Sequence, residues 1–251
     1  MPEHSMKACK LNTEAAQPLT GRIYQIQSLG AVDGPGLRYV VFMQGCPLRC
    51  MYCHNPETWP FSDGSMQLTP QELVEKTLRC KPYFEKGGGV TVTGGEPLMQ
   101  SAFVAEYFRL LQAVGVHTAL DTSGCASLEA AESVLQHTNL VLADLKFLTA
   151  QEYFQYAKAD MAKIEAFLDL TQKMAIPLWI RHVVVPGYTD SEEHIRKLGH
   201  KARQYRNLEK IELLPFRNLC LEKYQNLGIP FPLEGVPQMD VQRCKQLETL
   251  L

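Results

Sequence analysis

From residue 37 to residue 215 two kinds of segment alternate, and the alternation limits the chain to few folds. Short β-rich apolar runs lie at 37–42 (LRYVVF), 90–93, 116–120, 140–143, 178–185 (LWIRHVVV) and 211–214. Helix-like stretches separate them, at 69–79, 101–114, 128–136, 161–174 and 191–205. Thr69, Pro70 and Glu72 make the start signal of the first helix: a cap, a first-position proline and a capping-box glutamate. In the second, Phe103, Tyr107, Leu110, Leu111 and Val114 share one face. Strands joined through helices make a parallel sheet with crossover connections. Six strands fall short of a closed eight-stranded barrel. The expected fold class is therefore α/β: a partial (β/α)6 TIM-like barrel, with parallel strands and crossover helices. Residues 21–251 read as a single domain, and residues 1–20 as a flexible N-terminal extension.

In parallel α/β folds ligands bind at the carboxyl ends of the strands. The chemically distinctive residues fall there: Cys46 after the first strand, residues 94–96 after the second, Asp121 after the third and Asp144 after the fourth. Composition removes several alternatives. A formal net charge of −2 points neither to nucleic acid nor to an anionic membrane. The longest apolar runs are too short to cross a bilayer. Residues 1–20 have no apolar stretch of the secretory type, contain Glu3 and Glu14 and lack arginine, so a cytoplasmic location is expected.

In that compartment the eight cysteines are not expected to form disulfides. Cys9, Cys80, Cys125, Cys220 and Cys244 are scattered and read as small apolar fillers or idle thiols. Cys46, Cys50, Cys53 and His54, packed into GCPLRCMYCHNPETW, need another reason. Cys50, Cys53 and His54 fit the C-x-x-C-H pattern of covalent haem attachment, which leaves Cys46 unused. Three Cys and one His could hold zinc, but adjacent Cys53 and His54 would both have to turn onto one ion. A redox pair of Cys50 and Cys53 would belong at a helix start in a different setting. An iron–sulfur cluster fits best: C-x3-C-x2-C offers three thiolates to a [4Fe–4S] cube that ordinarily takes four, and leaves one iron open. A fourth ligand from a scattered cysteine would instead make a closed carrier or sensor cluster.

With Tyr52 before the last cysteine, this motif resembles that of the radical S-adenosylmethionine (SAM) enzymes. The ordered set VDGPGLR (32–38), GCPLRCMYCHNPETW (45–59), GGGVTVTGGEP (87–97), LDTSG (120–124), ADLK (143–146) and WIRHVVVPGYTD (179–190) is similar to that of the glycyl-radical-enzyme activases, over about residues 21–246. The resemblance implies that Cys46, Cys50 and Cys53 ligate one [4Fe–4S] cluster. It implies contacts to SAM from Tyr52, Cys53, His54, Gly95, Glu96, Asp144, Leu145 and Lys146. Asp121, Thr122 and Asp144 match positions that hold a monovalent cation in this family, and Asp33 a residue near the substrate peptide. No acid–base residue is required, and none is assigned. The implied partners are a glycyl radical enzyme of the pyruvate formate-lyase type and a flavodoxin- or ferredoxin-like electron donor. No second ferredoxin-type cysteine set lies between Trp59 and Gly87, which favours the single-cluster type. An activase of another glycyl radical enzyme, or a non-enzymatic iron–sulfur sensor or carrier, is the alternative.

Each residue has a plainer role open to it. Gly94 and Gly95 can end a strand, Asp121 and Asp144 can cap, Lys146 can be a solvated charge, and Asp33 can nucleate the DGPG turn. One position departs from the family pattern: PFRN puts Arg217 where members commonly carry a histidine facing SAM. Arginine can donate and stack there but cannot accept.

Overall fold

The computed structural model describes residues 18–61, 66–84 and 87–251. The proposed extension lies mostly outside them, as does Cys9.

Eight strands form one open sheet. They are β1 (Gly21–Gly30), β2 (Arg38–Met43), β3 (Met66–Leu68), β4 (Gly89–Gly94), β5 (His117–Thr122), β6 (Leu140–Asp144), β7 (Leu178–Val184) and β8 (Leu208–Pro215), in the order β3-β1-β2-β4-β5-β6-β7-β8. From β2 to β8 every pairing is parallel. These are the six expected strands. β1 and β3 add an antiparallel border. Their absence from the sequence reading has a physical cause: most of GRIYQIQSLG is half-buried or exposed, so it carries little apolar signal.

The helices α1 (Pro70–Leu78), α2 (Ser101–Ala113), α3 (Leu128–Leu135), α5 (Met161–Lys173) and α6 (Glu192–Ala202) occupy the expected crossovers. α4 (Ala150–Ala157), α7 (Leu221–Asn226) and α8 (Val241–Glu248) were not anticipated. Thr69 and Glu72 cap α1 reciprocally, as their spacing requires.

Alternation along the strands sorts the side chains into two environments. Tyr39, Val41, Val90, Val92, Leu120, Val141, Leu178 and Ile180 point outward into the main core, beneath Phe103, Tyr107, Phe108 and Phe167 of the helices. The other set faces inward. Register aligns Val40 with Thr91, Phe42 with Thr93, Asp144 with Arg181, and Arg181 with Glu212. A small apolar cluster of Ala119, Leu140, Leu142 and Trp179 lies on that side. The inner space is thus lined by charge, which a stable core would not choose without a function.

Candidate active site

Loops from the carboxyl ends of β2, β4, β5, β6 and β7 surround a cavity of about 330 Å³. Cys46, Cys50 and Cys53 line one wall, with Tyr52 and His54 beside them. Asp33, Gly95, Asp121, Thr122, Asp144 and Lys146 line it too. Eleven of the expected site residues are therefore brought together.

The cysteine loop is held from several sides. The N–H groups of Arg49 and Met51 donate to the carbonyls of Ala157 and Tyr156, both at 2.8 Å. These carbonyls end α4, where the last turn leaves acceptors without helical partners. From the C-terminal segment the Tyr224 hydroxyl donates to the Cys53 carbonyl at 3.2 Å, and Lys223 Nζ to Asn55 Oδ1 at 2.9 Å. His54 Nε2 lies 2.8 Å from the Arg217 carbonyl.

Burial dominates the thiols. It pushes Cys50 up to about 12, although Lys146 pulls the other way. Cys46 is raised by burial first and then by Cys50, and Cys53 is also raised by burial. Against this, the amides of Leu48 and Asn55 donate toward the sulfurs of Cys46 and Cys53, and Trp59 adds a side-chain donor at Cys53. Such donors favour the thiolate, the form that binds iron. Among the described residues, no three His, Cys, Asp or Glu side chains close on one ion.

An ion-pair array lines the same cavity. Arg181 Nη1 lies 3.0 Å from Asp121 Oδ2, and its Nε 3.6 Å from Glu212 Oε2. Thr93 donates to the same Asp121 oxygen at 2.9 Å. Lys146 Nζ lies 2.6 Å from Asp144 Oδ2. Burial raises Asp144, but Lys146 and Arg181 outweigh it and hold the carboxyl below its ordinary range. Arg181 was not among the expected residues. It sits at an inward position of a strand whose sequence reads as an apolar run; the alternation of burial along LWIRHVV is its signal.

Several expected residues play other parts. Glu96 is buried and faces away from the cavity: Thr122 Oγ1 and Ser123 Oγ donate to it at 2.5 Å, the Ser123 amide at 2.9 Å and the Leu98 amide at 3.1 Å. It ties the end of β4 to the end of β5, and it uses the Thr122 hydroxyl in doing so. Leu145 is buried in the core; its N–H donates to Arg181 O and its carbonyl pairs with His182 Nδ1 at 2.7 Å. At Gly95 a Cβ would strike the Gly45 carbonyl, so glycine is required there by the contact between two loops. Arg217 is not among the residues lining the cavity; its carbonyl meets His54 Nε2.

Comparison with known proteins settles the family. The model of the radical SAM superfamily matches residues 40–199. A pyruvate formate-lyase-activating enzyme of Clostridium pasteurianum is 45% identical over 232 residues, covering 92% of this chain and 97% of the relative. One of Staphylococcus epidermidis is 44% identical over 235 residues, covering 91% and 94%. The chain belongs to the radical SAM superfamily, among its pyruvate formate-lyase-activating enzymes.

As a radical SAM enzyme it works with a [4Fe–4S] cluster and S-adenosylmethionine. The fold agrees. A solved radical SAM methyltransferase from Sphaerobacter thermophilus superposes with a TM-score of 0.61 at 14% identity, over 93% of this chain and 74% of that one. A domain of a pyruvate-formate lyase-activating enzyme from Bacteroides vulgatus gives 0.54 at 23% identity, over 66% and 93%. No helix among the described residues of this radical SAM enzyme is long and apolar enough to cross a membrane.

Proposed function

We propose that this chain generates the glycyl radical of pyruvate formate-lyase, as a single catalytic domain spanning residues 21–251 and working in the cytoplasm. The observation that carries the reading is the convergence of Cys46, Cys50 and Cys53 on one cavity at the carboxyl ends of the parallel strands, together with Asp121, Asp144, Lys146 and Arg181. When bound, the cluster and SAM together supply a 5′-deoxyadenosyl radical that takes a hydrogen atom from a glycine α-carbon.

The chain's residues bind, orient and shield. Cys46, Cys50 and Cys53 would hold three irons of the cluster. The ammonium of Lys146 and the carboxylates of Asp144 and Asp121 form a polar wall suited to the amino and carboxylate groups of SAM. Tyr52, Cys53 and His54 would add backbone or side-chain contacts to SAM, and Gly95 would let the backbone approach its amino group. Glu96 and Leu145 act from behind, by fixing the strand ends that carry Thr122, Asp144 and Lys146. Asp33 stands near the substrate peptide. A monovalent cation would be held by Asp121, Thr122 and Asp144. The electron would come from a flavodoxin- or ferredoxin-like protein.

Anaerobic reconstitution with iron and sulfide, followed by electron paramagnetic resonance, tests this. The reduced cluster signal should shift on adding SAM, and an added pyruvate formate-lyase should acquire a glycyl radical doublet. A SAM-sensitive signal with no doublet would point to another glycyl radical enzyme as partner. A cluster indifferent to SAM would overturn the assignment in favour of a sensor or carrier.

A further inference from the structure

We infer that Gln44 is a positioning residue for the cluster: its side-chain amide closes the base of the cysteine loop and sets the spread of the three thiols. The inference rests on the cluster assignment above.

Gln44 follows the last residue of β2 and is 3% exposed. Where the chain returns from the loop, four successive carbonyls face residues 44–46. The Thr58 carbonyl accepts from the Gly45 N–H at 2.8 Å, and that of Trp59 from the Cys46 N–H at 3.3 Å. Among the described residues, the two outer carbonyls have no backbone donor. Gln44 Nε2 supplies both, at 2.9 Å to Glu57 and 2.8 Å to Pro60. One side chain thus extends a two-bond ladder to four, and the loop leaves and rejoins the sheet through a neck of fixed width.

The neck is anchored in turn. The Gln44 N–H donates to the Arg22 carbonyl at 3.0 Å, and the Gln44 carbonyl accepts from Gln100 Nε2 at 2.8 Å. Gln100 also exchanges hydrogen bonds with the backbone of Arg22, at 2.8 and 2.9 Å. The base of the loop is therefore tied to β1 and to the turn after β4. Gly45 leaves no slack: its φ is +95°, and a Cβ there would lie 2.7 Å from Phe61. Cys46 is two residues from Gln44, so any opening of the neck moves the first thiol relative to the other two.

The test compares reconstituted wild type with Gln44→Leu, Gln44→Glu and Gln44→Asn. Leucine and glutamate keep the bulk but cannot donate to the two carbonyls. Asparagine keeps the amide on a shorter reach. In the first two, a ferrous chelator should strip the cluster roughly tenfold faster, as expected for two lost hydrogen bonds of ordinary net strength. The resonance of the reduced, SAM-bound cluster should change its g-values, and Gln44→Asn should fall between. Circular dichroism checks that each variant is folded; if Gln44→Leu is not, the other two carry the comparison. Folded Gln44→Glu and Gln44→Asn proteins with wild-type g-values and wild-type chelation rates would overturn the proposal. A wild type that takes up no cluster would overturn the cluster assignment and this inference with it, a different failure from an intact wild-type signal that the variants share.

Discussion

His182 shows how a residue outside the cavity can govern it. Its Nδ1 holds the Leu145 carbonyl, between the cavity residues Asp144 and Lys146. Burial, with His194 nearby, lowers its pKa to about 4; burial and Arg38 lower His117 to about 4 as well. Both folded values lie below the ordinary 6.5, so the unfolded chain binds more protons between the two. The stability associated with these neutral rings is complete above pH 6.5 and is lost as pH falls toward 4. Thermal melts of the wild type should therefore decline steeply across that window. His182→Asn keeps a donor for Leu145 without a titrating ring and should flatten the decline, by on the order of 3 kcal/mol at its acid end; an unchanged profile would contradict this account. Glu96→Ala leaves two hydroxyls and two amides without their acceptor and should cost about 3 kcal/mol or more in chemical denaturation. The glutamate of GGEP was legible as a site residue, but its role as a brace was not, because the donors come from the next strand.

Among the elements, α4 matters most for the cysteine loop, and it was the hardest to foresee. AQEYFQYA has a reciprocal cap from Thr149 and Glu152 but buries only Tyr153 and Ala157. A helix so short draws its stability from its cap and its contacts more than from propensity. Thr149→Ala should lower stability by about 1 kcal/mol. It should also loosen the cluster, since the last carbonyls of α4 hold Arg49 and Met51. Lys158, just past the helix end, has φ +54°. Lys158→Gly removes that strain and should raise the melting temperature, a gain of about 1 kcal/mol; a lower value would show that the lysine side chain has a role of its own. The parallel strands were legible because they are short β-rich runs whose outward residues are apolar, separated by helix signals. β1 and β3 lie toward one edge, where that pattern is absent.

At the scale of the molecule the sheet separates two jobs. Its outer face packs against the helices, and its inner face carries the charges. Hydrogen bonds to α4 and to the C-terminal segment hold the cysteine loop, and Leu48, Met51 and Tyr52 anchor it in the core. Removing the iron should therefore leave the far-ultraviolet dichroism and the cooperativity of unfolding unchanged, with a lower melting temperature as the main effect. This contrasts with small zinc domains, which lose their fold with the metal; a non-cooperative melt of the iron-free protein would refute the expectation. The position of the site was legible because motif residues coincide with strand ends. Arg181 was not, because its neighbours in sequence are apolar and its charge is answered from other strands.

The bonds that fix the third cysteine span long stretches of chain: Tyr224 lies 171 positions beyond Cys53, and Lys223 lies 168 beyond Asn55. Contacts so distant form late in folding, after the intervening loops have closed. A nascent chain thus exposes Cys50 and Cys53 before the C-terminal segment secures them. During synthesis they are open to air and to stray copper, which binds soft thiolates more tightly than iron does. The geometry therefore sets an order of events in the cell, with chain completion first and iron delivery afterwards. Pulse-labelled chains stopped ahead of residue 221 should then recover little iron, however generously it is supplied.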